Sequence, residues 1–200
     1  TKLADMSLSQ QEINELWSRN VSAIGKVQII GSNDVVVNVS RFTQDLSASF
    51  LELLFPRHQI LSLQSTIDNN QRFTDKSQAT QDRYIEVMRN YNLNGNIDAD
   101  DWTTINSMYN QEREHADELM KANEALNAEK NEKSLTFFRL CIEHHLNLSR
   151  QIPEILFSIR DELELPLDKK AYEKHYQEQI EKGEKILKSF IDQAEAEIIT

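Results

Sequence analysis

The sequence predicts an all-α fold, an elongated antiparallel bundle of four to five helices, and three observations carry that reading. The 200 residues contain four Gly and three Pro, where an average chain has about 7% and 5% of them, so few positions are suited to turning the backbone. Apolar residues recur three and four apart over long stretches, the spacing that lines one face of a helix. Toward the C-terminus, Glu178 and Lys182, Glu181 and Lys185, and Glu184 and Lys188 stand four apart in the order that supports an exposed helix. The hydrophobic share is only 39%, below the usual ~45–50%, which points to a thin core.

The elements follow in order. Residues 1–8 carry no helical pattern and are expected to be a flexible lead-in. Ser9, with Glu12 three residues on, forms a capping-box signature ahead of Ile13, Leu16 and Trp17, so the first helix is expected over about 10–30. Gly31-Ser32-Asn33-Asp34 then supplies a stop and a fresh N-cap. A rival reading makes 26–39 a β-hairpin, since Val27, Ile29, Ile30 and Val35–Val37 flank that turn-forming tetrad. A hairpin would need a third strand, and the sequence offers none.

The second helix is expected over about 34–90. Val35, Val39, Phe42, Leu46, Phe50 and Leu53 build its apolar stripe, which resumes at Ile60, Leu63 and Ile67. Pro56 falls inside the stripe and should kink it, because proline removes a helical donor and crowds the preceding turn. From Asp68 to Arg83 only Phe73 and Ala79 are apolar, which reads as solvated helix or a polar excursion. Asn90–Asp98 reads as a loop. Asp98 caps a third helix, about 98–150, on a seam of Trp102, Ile105, Tyr109, Glu112, Ala116, Leu119, Asn123 and Leu126. Such a helix would be about 75 Å long at 1.5 Å per residue, which is why the molecule is expected to be elongated. Asn123 on the seam would fix register at some cost in stability.

Pro153 suits the first turn of a short helix ending near Leu163. Leu165-Pro166-Leu167-Asp168 makes a turn and cap before a final helix over about 169–198. Gly25 and Gly183 sit inside helices, where they would mark close packing. No repeat, low-complexity tract or Gly/Ser linker divides the chain, so residues 1–200 read as one domain.

The balance of 22 Lys and Arg against 33 Asp and Glu leaves a net charge of −11 and no basic patch. That disfavours nucleic acid and anionic lipid, which are bound by neutralising phosphates. No apolar run approaches the ~18 residues of a membrane span; the densest, Phe50–Phe55 and Phe137–Ile142, contain Glu52 and Arg139. The opening Thr1 fits a processed product, or the soluble portion of a larger or membrane-anchored bacterial protein. Cys141, the single cysteine, lies among Phe137, Phe138, Leu140 and Ile142 and reads as a small buried hydrophobe.

Three constellations could carry chemistry. The run from Asn90 to Asp101 places oxygen side chains at Asn90, Asn92, Asn94, Asp98 and Asp101, with Asn96 between them and Gly95 at the sixth position. This spacing resembles an EF-hand loop, which implies Ca2+; Asn stands where Asp is usual, and Asp101 where a longer Glu is usual. The plainer reading is an Asn-rich connection with Asp98 as cap. Arg139 and His144 stand five apart, a spacing that resembles the motif of HEPN ribonucleases, all-α domains in which Arg would stabilise phosphorane charge and His would move protons. The plainer reading pairs Arg139 with Glu143. Glu112 and His115 form one ExxH pair; ferritin-like di-iron sites, which it resembles, need two. No complete catalytic set emerges. The expected function is therefore a non-catalytic helical-bundle interaction or sensor domain, engaging a protein partner or a second copy through helical faces. The alternatives are a HEPN-like ribonuclease and a divalent-cation module, and no cofactor other than Ca2+ is implied.

Overall fold

The computed structural model describes residues 5–94 and 98–199, and among these every element is a helix. They are α1 (Gln10–Ile30), α2 (Asn33–Asn94), α3 (Ala99–Ser149), α4 (Ile152–Glu162) and α5 (Lys169–Ile199). The chain divides into two compact units, one made of 1–59 with 133–200 and the other of 60–132; α2 and α3 contribute a segment to each.

The capping chemistry is local and forms as the sequence implies. The Ser9 amide donates to Glu12 Oε2 at 2.7 Å, and the Glu12 amide donates to Ser9 Oγ at 3.2 Å, so each satisfies a donor the helix start would leave open. The Ser9 hydroxyl also donates to that carboxylate, which with the backbone bond holds the Glu12 carboxyl below its ordinary value. Asp98 accepts from the Asp100 amide and Asp168 from the Ala171 amide, fixing the starts of α3 and α5. Residues 26–39 are helix, turn and helix rather than a hairpin, with only Gly31 and Ser32 between α1 and α2.

In the first unit α2 and α3 run antiparallel: Glu52 meets His144 at 3.2 Å, and about two turns back along α2 Asp45 accepts at 2.7 Å from Gln151, just past the end of α3. The core holds Ile13 from α1, Val35, Val39, Phe50 and Leu53 from α2, and Phe137 and Cys141 from α3. Pro56 does not end α2. The next residue, Arg57, is 1% exposed, and its Nη2 donates to the carbonyls of Asp5 (3.2 Å) and Leu8 (2.5 Å). Asp5–Leu8, expected to be a flexible lead-in, thus form a turn held on α2, while residues 1–4 lie outside the described residues.

α4 ends in a Schellman arrangement. The Glu164 amide donates to Asp161 and the Leu165 amide to Arg160, with Glu164 at φ 53° in the left-handed region that glycine normally fills. Phe157 and Tyr172 meet edge-on at 5.7 Å between α4 and α5. The Tyr176 hydroxyl donates to the Ser149 carbonyl at 3.1 Å, and burial, then the neighbouring Tyr172, raises its pKa. The Glu–Lys ladder expected on α5 does not form among the described residues: Glu184 pairs with Arg150 and Glu181 accepts from Gln177. Cross-helix and amide partners win because exposed i to i+4 pairs contribute only a few tenths of a kcal/mol. Gly25 and Gly183 are not close-packing points, since a Cβ at either would meet nothing within 4 Å.

The second unit is a two-helix hairpin with a polar seam. Gln64 accepts from Lys130, Asn70 donates to Asn123, and Tyr84 meets Met108, so each advance along α2 is matched by a retreat along α3. Ile60, Ile67, Thr74, Ser77, Ala116 and Asn123 are buried. The stretch 68–83, polar in composition, therefore supplies the α2 side of the seam through Asn70, Thr74 and Ser77.

Candidate functional site

The first unit contains a recess of about 650 Å³ between α1, α2 and α3. α1 supplies Ile13, Leu16 and Trp17, α2 supplies Phe42, Leu46 and Phe50, and α3 supplies Cys141 and Leu148. These positions recur three or four apart on α1 and α2 and seven apart on α3, so each helix turns one apolar face inward. Trp17 and Phe50 stack with ring centroids 4.2 Å apart and planes 19° apart, giving the recess a flat aromatic wall.

Its polar groups are few. Asn20, Ser49, His144 and His145 line it, and the lining contains no Asp, Glu, Lys or Arg. Ser49 is 8% exposed, and its hydroxyl has no hydrogen-bond partner among the described residues. Ser49 lines the recess with this hydroxyl unpaired, so it marks a place where a ligand's polar group would be accommodated. His144 Nε2 lies 3.2 Å from Glu52 Oε2, which orients the imidazole at the edge of the recess; the Glu52 side chain itself is 66% exposed. Such an arrangement suits binding: a mostly apolar volume with a few convergent polar groups is the usual make-up of a small-molecule pocket.

The residues nominated from sequence fall elsewhere, with one exception. His144 reaches the recess, whereas Arg139 is exposed. Five residues apart on α3, the two leave the helix axis about 140° apart, so one chain does not aim them at a common phosphate. Glu112 is half-buried and His115 exposed in the second unit. The loop expected over 90–98 begins later than that, because α2 continues through Asn94. Asn90 and Asn92 are helical there and diverge by about 200° rather than converging on an ion. Asp98 caps α3 and Asp101 lies in its first turn; Gly95, Asn96 and Ile97 lie outside the described residues. No group of three or more His, Cys, Asp or Glu that could hold a metal ion occurs among the described residues.

Sequence reasoning missed Trp17, Ser49 and Phe50 as a site because each fits a stripe that any packed helix shows. The available signal was the placement of Ser49 beside Phe50 inside an apolar stripe, a small polar residue where a core would favour an aliphatic one. No family model, curated protein or solved structure matches the chain. No described helix is long and apolar enough to cross a membrane.

Proposed function

We propose that the chain is a non-catalytic, sensor-type binding module whose first unit takes an apolar ligand between α1, α2 and α3. The observation that carries this reading is the recess itself, about 650 Å³ with no Asp, Glu, Lys or Arg in its lining. Ligand pockets of about 300–1,000 Å³ accommodate drug-sized molecules, so the volume is sufficient. A partner helix is a poor fit to it. A helix about 10 Å across with a 5.4 Å pitch fills about 400 Å³ per turn, so the recess would admit under two turns, fewer than helix-in-groove recognition uses.

The test is calorimetric titration of the full chain with N-phenyl-1-naphthylamine, a neutral apolar probe. One site with a negative heat-capacity change is expected, the marker of buried apolar surface. Leu46→Trp, which fills the recess, should remove binding while keeping the helical spectrum. No saturable binding up to the probe's solubility limit would refute the reading.

A protein partner or second copy is supported by a separate observation. Leu51 and Phe55, one turn apart on α2, are 66% and 67% exposed, and two large apolar side chains on one helical face favour contact with another apolar surface. Sedimentation of the full chain and of Leu51→Ser/Phe55→Ser tests it: association that the double variant abolishes supports the reading, and a monomer at all concentrations opposes a second copy.

A further inference from the structure

We infer that the recess selects a neutral, flat ligand of two or three fused rings carrying one hydrogen-bonding group, which the Ser49 hydroxyl meets. This rests on the reading of the recess as a binding site and specifies what enters it. Three features of the lining set the class. The stacked Trp17 and Phe50 rings, 4.2 Å apart and within 19° of parallel, present planar surface that a further aromatic ring extends in offset-stacked geometry. A flexible alkyl chain would gain no such contact and would lose more internal freedom on entering.

Size is the second feature. A dry cavity of about 150 Å³ suffices for benzene, so about 650 Å³ has room for two or three rings with part of the volume left at the mouth. Charge is the third. With no Lys or Arg in the lining and the Glu52 carboxylate beside His144, an anion would be desolvated without a permanently charged counter-ion. A cation would find no carboxylate among the lining residues. Ser49 then supplies a polar contact on the recess wall: the residue is 8% exposed, its hydroxyl is without a partner among the described residues, and it can donate or accept.

The experiment uses the full chain with Trp102→Phe, which leaves Trp17 as the sole tryptophan, and reads both calorimetry and Trp17 fluorescence. Four probes separate the classes: 2-naphthol, 2-naphthoate, a 2-naphthyl trimethylammonium salt and dodecanol. The expected result is that 2-naphthol binds at least tenfold more tightly than the other three and perturbs Trp17 emission. Ser49→Ala should then weaken 2-naphthol about threefold to tenfold, the range for one hydrogen bond, and leave naphthalene binding unchanged. Equal or tighter binding of dodecanol or of either charged probe would overturn the ligand class while leaving the recess as a binding site. Weakening of naphthalene and 2-naphthol alike by Ser49→Ala would overturn the role of the hydroxyl. Failure of every probe, N-phenyl-1-naphthylamine included, would overturn both readings.

Discussion

Asn123 sits buried in the polar seam of the second unit and makes the sharpest stability prediction. It is 8% exposed, its Oδ1 accepts from Asn70 Nδ2 at 2.9 Å, and its Nδ2 donates to the Ile67 carbonyl at 3.2 Å. Asn123→Ala removes both side-chain bonds. At a net 0.5–1.5 kcal/mol each, the loss is about 1–3 kcal/mol, with the upper part reached if the half-buried Asn70 amide finds no water. For a chain of this size each kcal/mol moves the melting temperature by about 2–4 °C, so a drop of about 4–8 °C is expected for a mid-range loss. The assay is thermal and urea unfolding by circular dichroism for the parent, Asn70→Ala, Asn123→Ala and the double variant. The cycle should give a coupling of about 1 kcal/mol between two residues that share a bond. Additive effects, with no coupling outside error, would refute the claim that this pair holds the hairpin in register. Replacing both residues with Leu should raise stability through apolar burial while weakening the single register, because a buried Asn pair specifies alignment at the expense of stability.

Gly25→Ala and Gly183→Ala should each stabilise by up to about 1 kcal/mol, since both lie within helices and an added methyl meets nothing; an unchanged or lowered melting temperature would count against the open space. Glu164→Gly should stabilise by about 1 kcal/mol, read in the same melts, by relieving a left-handed residue at the end of α4. The depressed Glu12 pKa means that its ionised form is favoured by folding, so this contribution is present above the ordinary carboxyl value of 4.5 and is lost as pH falls through the lower folded value. Carbon-13 NMR of the Glu12 carboxyl should therefore titrate below that value, and Ser9→Ala should move it upward; an unmoved titration would remove the capping box as its cause.

The helix ends were legible where a residue acts on its own neighbours. Ser9 with Glu12, Gly31, Pro153 and Asp168 set their boundaries through bonds or steric limits spanning a few residues: α1 begins and ends, and α4 and α5 begin, where those signals stand. The end of α2 was not legible. Four asparagines between Asn90 and Asn96 favour a turn by propensity, yet Tyr91, three residues beyond half-buried Met88, is itself half-buried and carries the α2 stripe onward; packing overrides weak local preference. The polar stretch 68–83 is the solvated helix that was expected, but its buried face was not legible, for the opposite reason. Its seam positions are Asn70, Thr74 and Ser77, and only the facing Asn123 and Ala116 of α3 show why small and polar residues are suited to burial there. Distant pairing likewise directed Glu184 to Arg150 rather than Lys188. The recess was out of reach because its lining residues come from three helices, the third of them far along the chain from the first two, and a stripe on one helix does not record how tightly its neighbours fill it. His144 was reached through its spacing from Arg139, although the structure gives it Glu52 as partner and places it on the recess.

Entry of a ligand between α1, α2 and α3 is tested most directly by NMR of isotope-labelled protein with unlabelled 2-naphthol. Intermolecular nuclear Overhauser contacts from the naphthol protons to the Trp17 and Phe50 rings and to the Leu46 methyl groups are the predicted result. Contacts confined to exposed Leu51 and Phe55, or no contacts at saturating ligand, would contradict it.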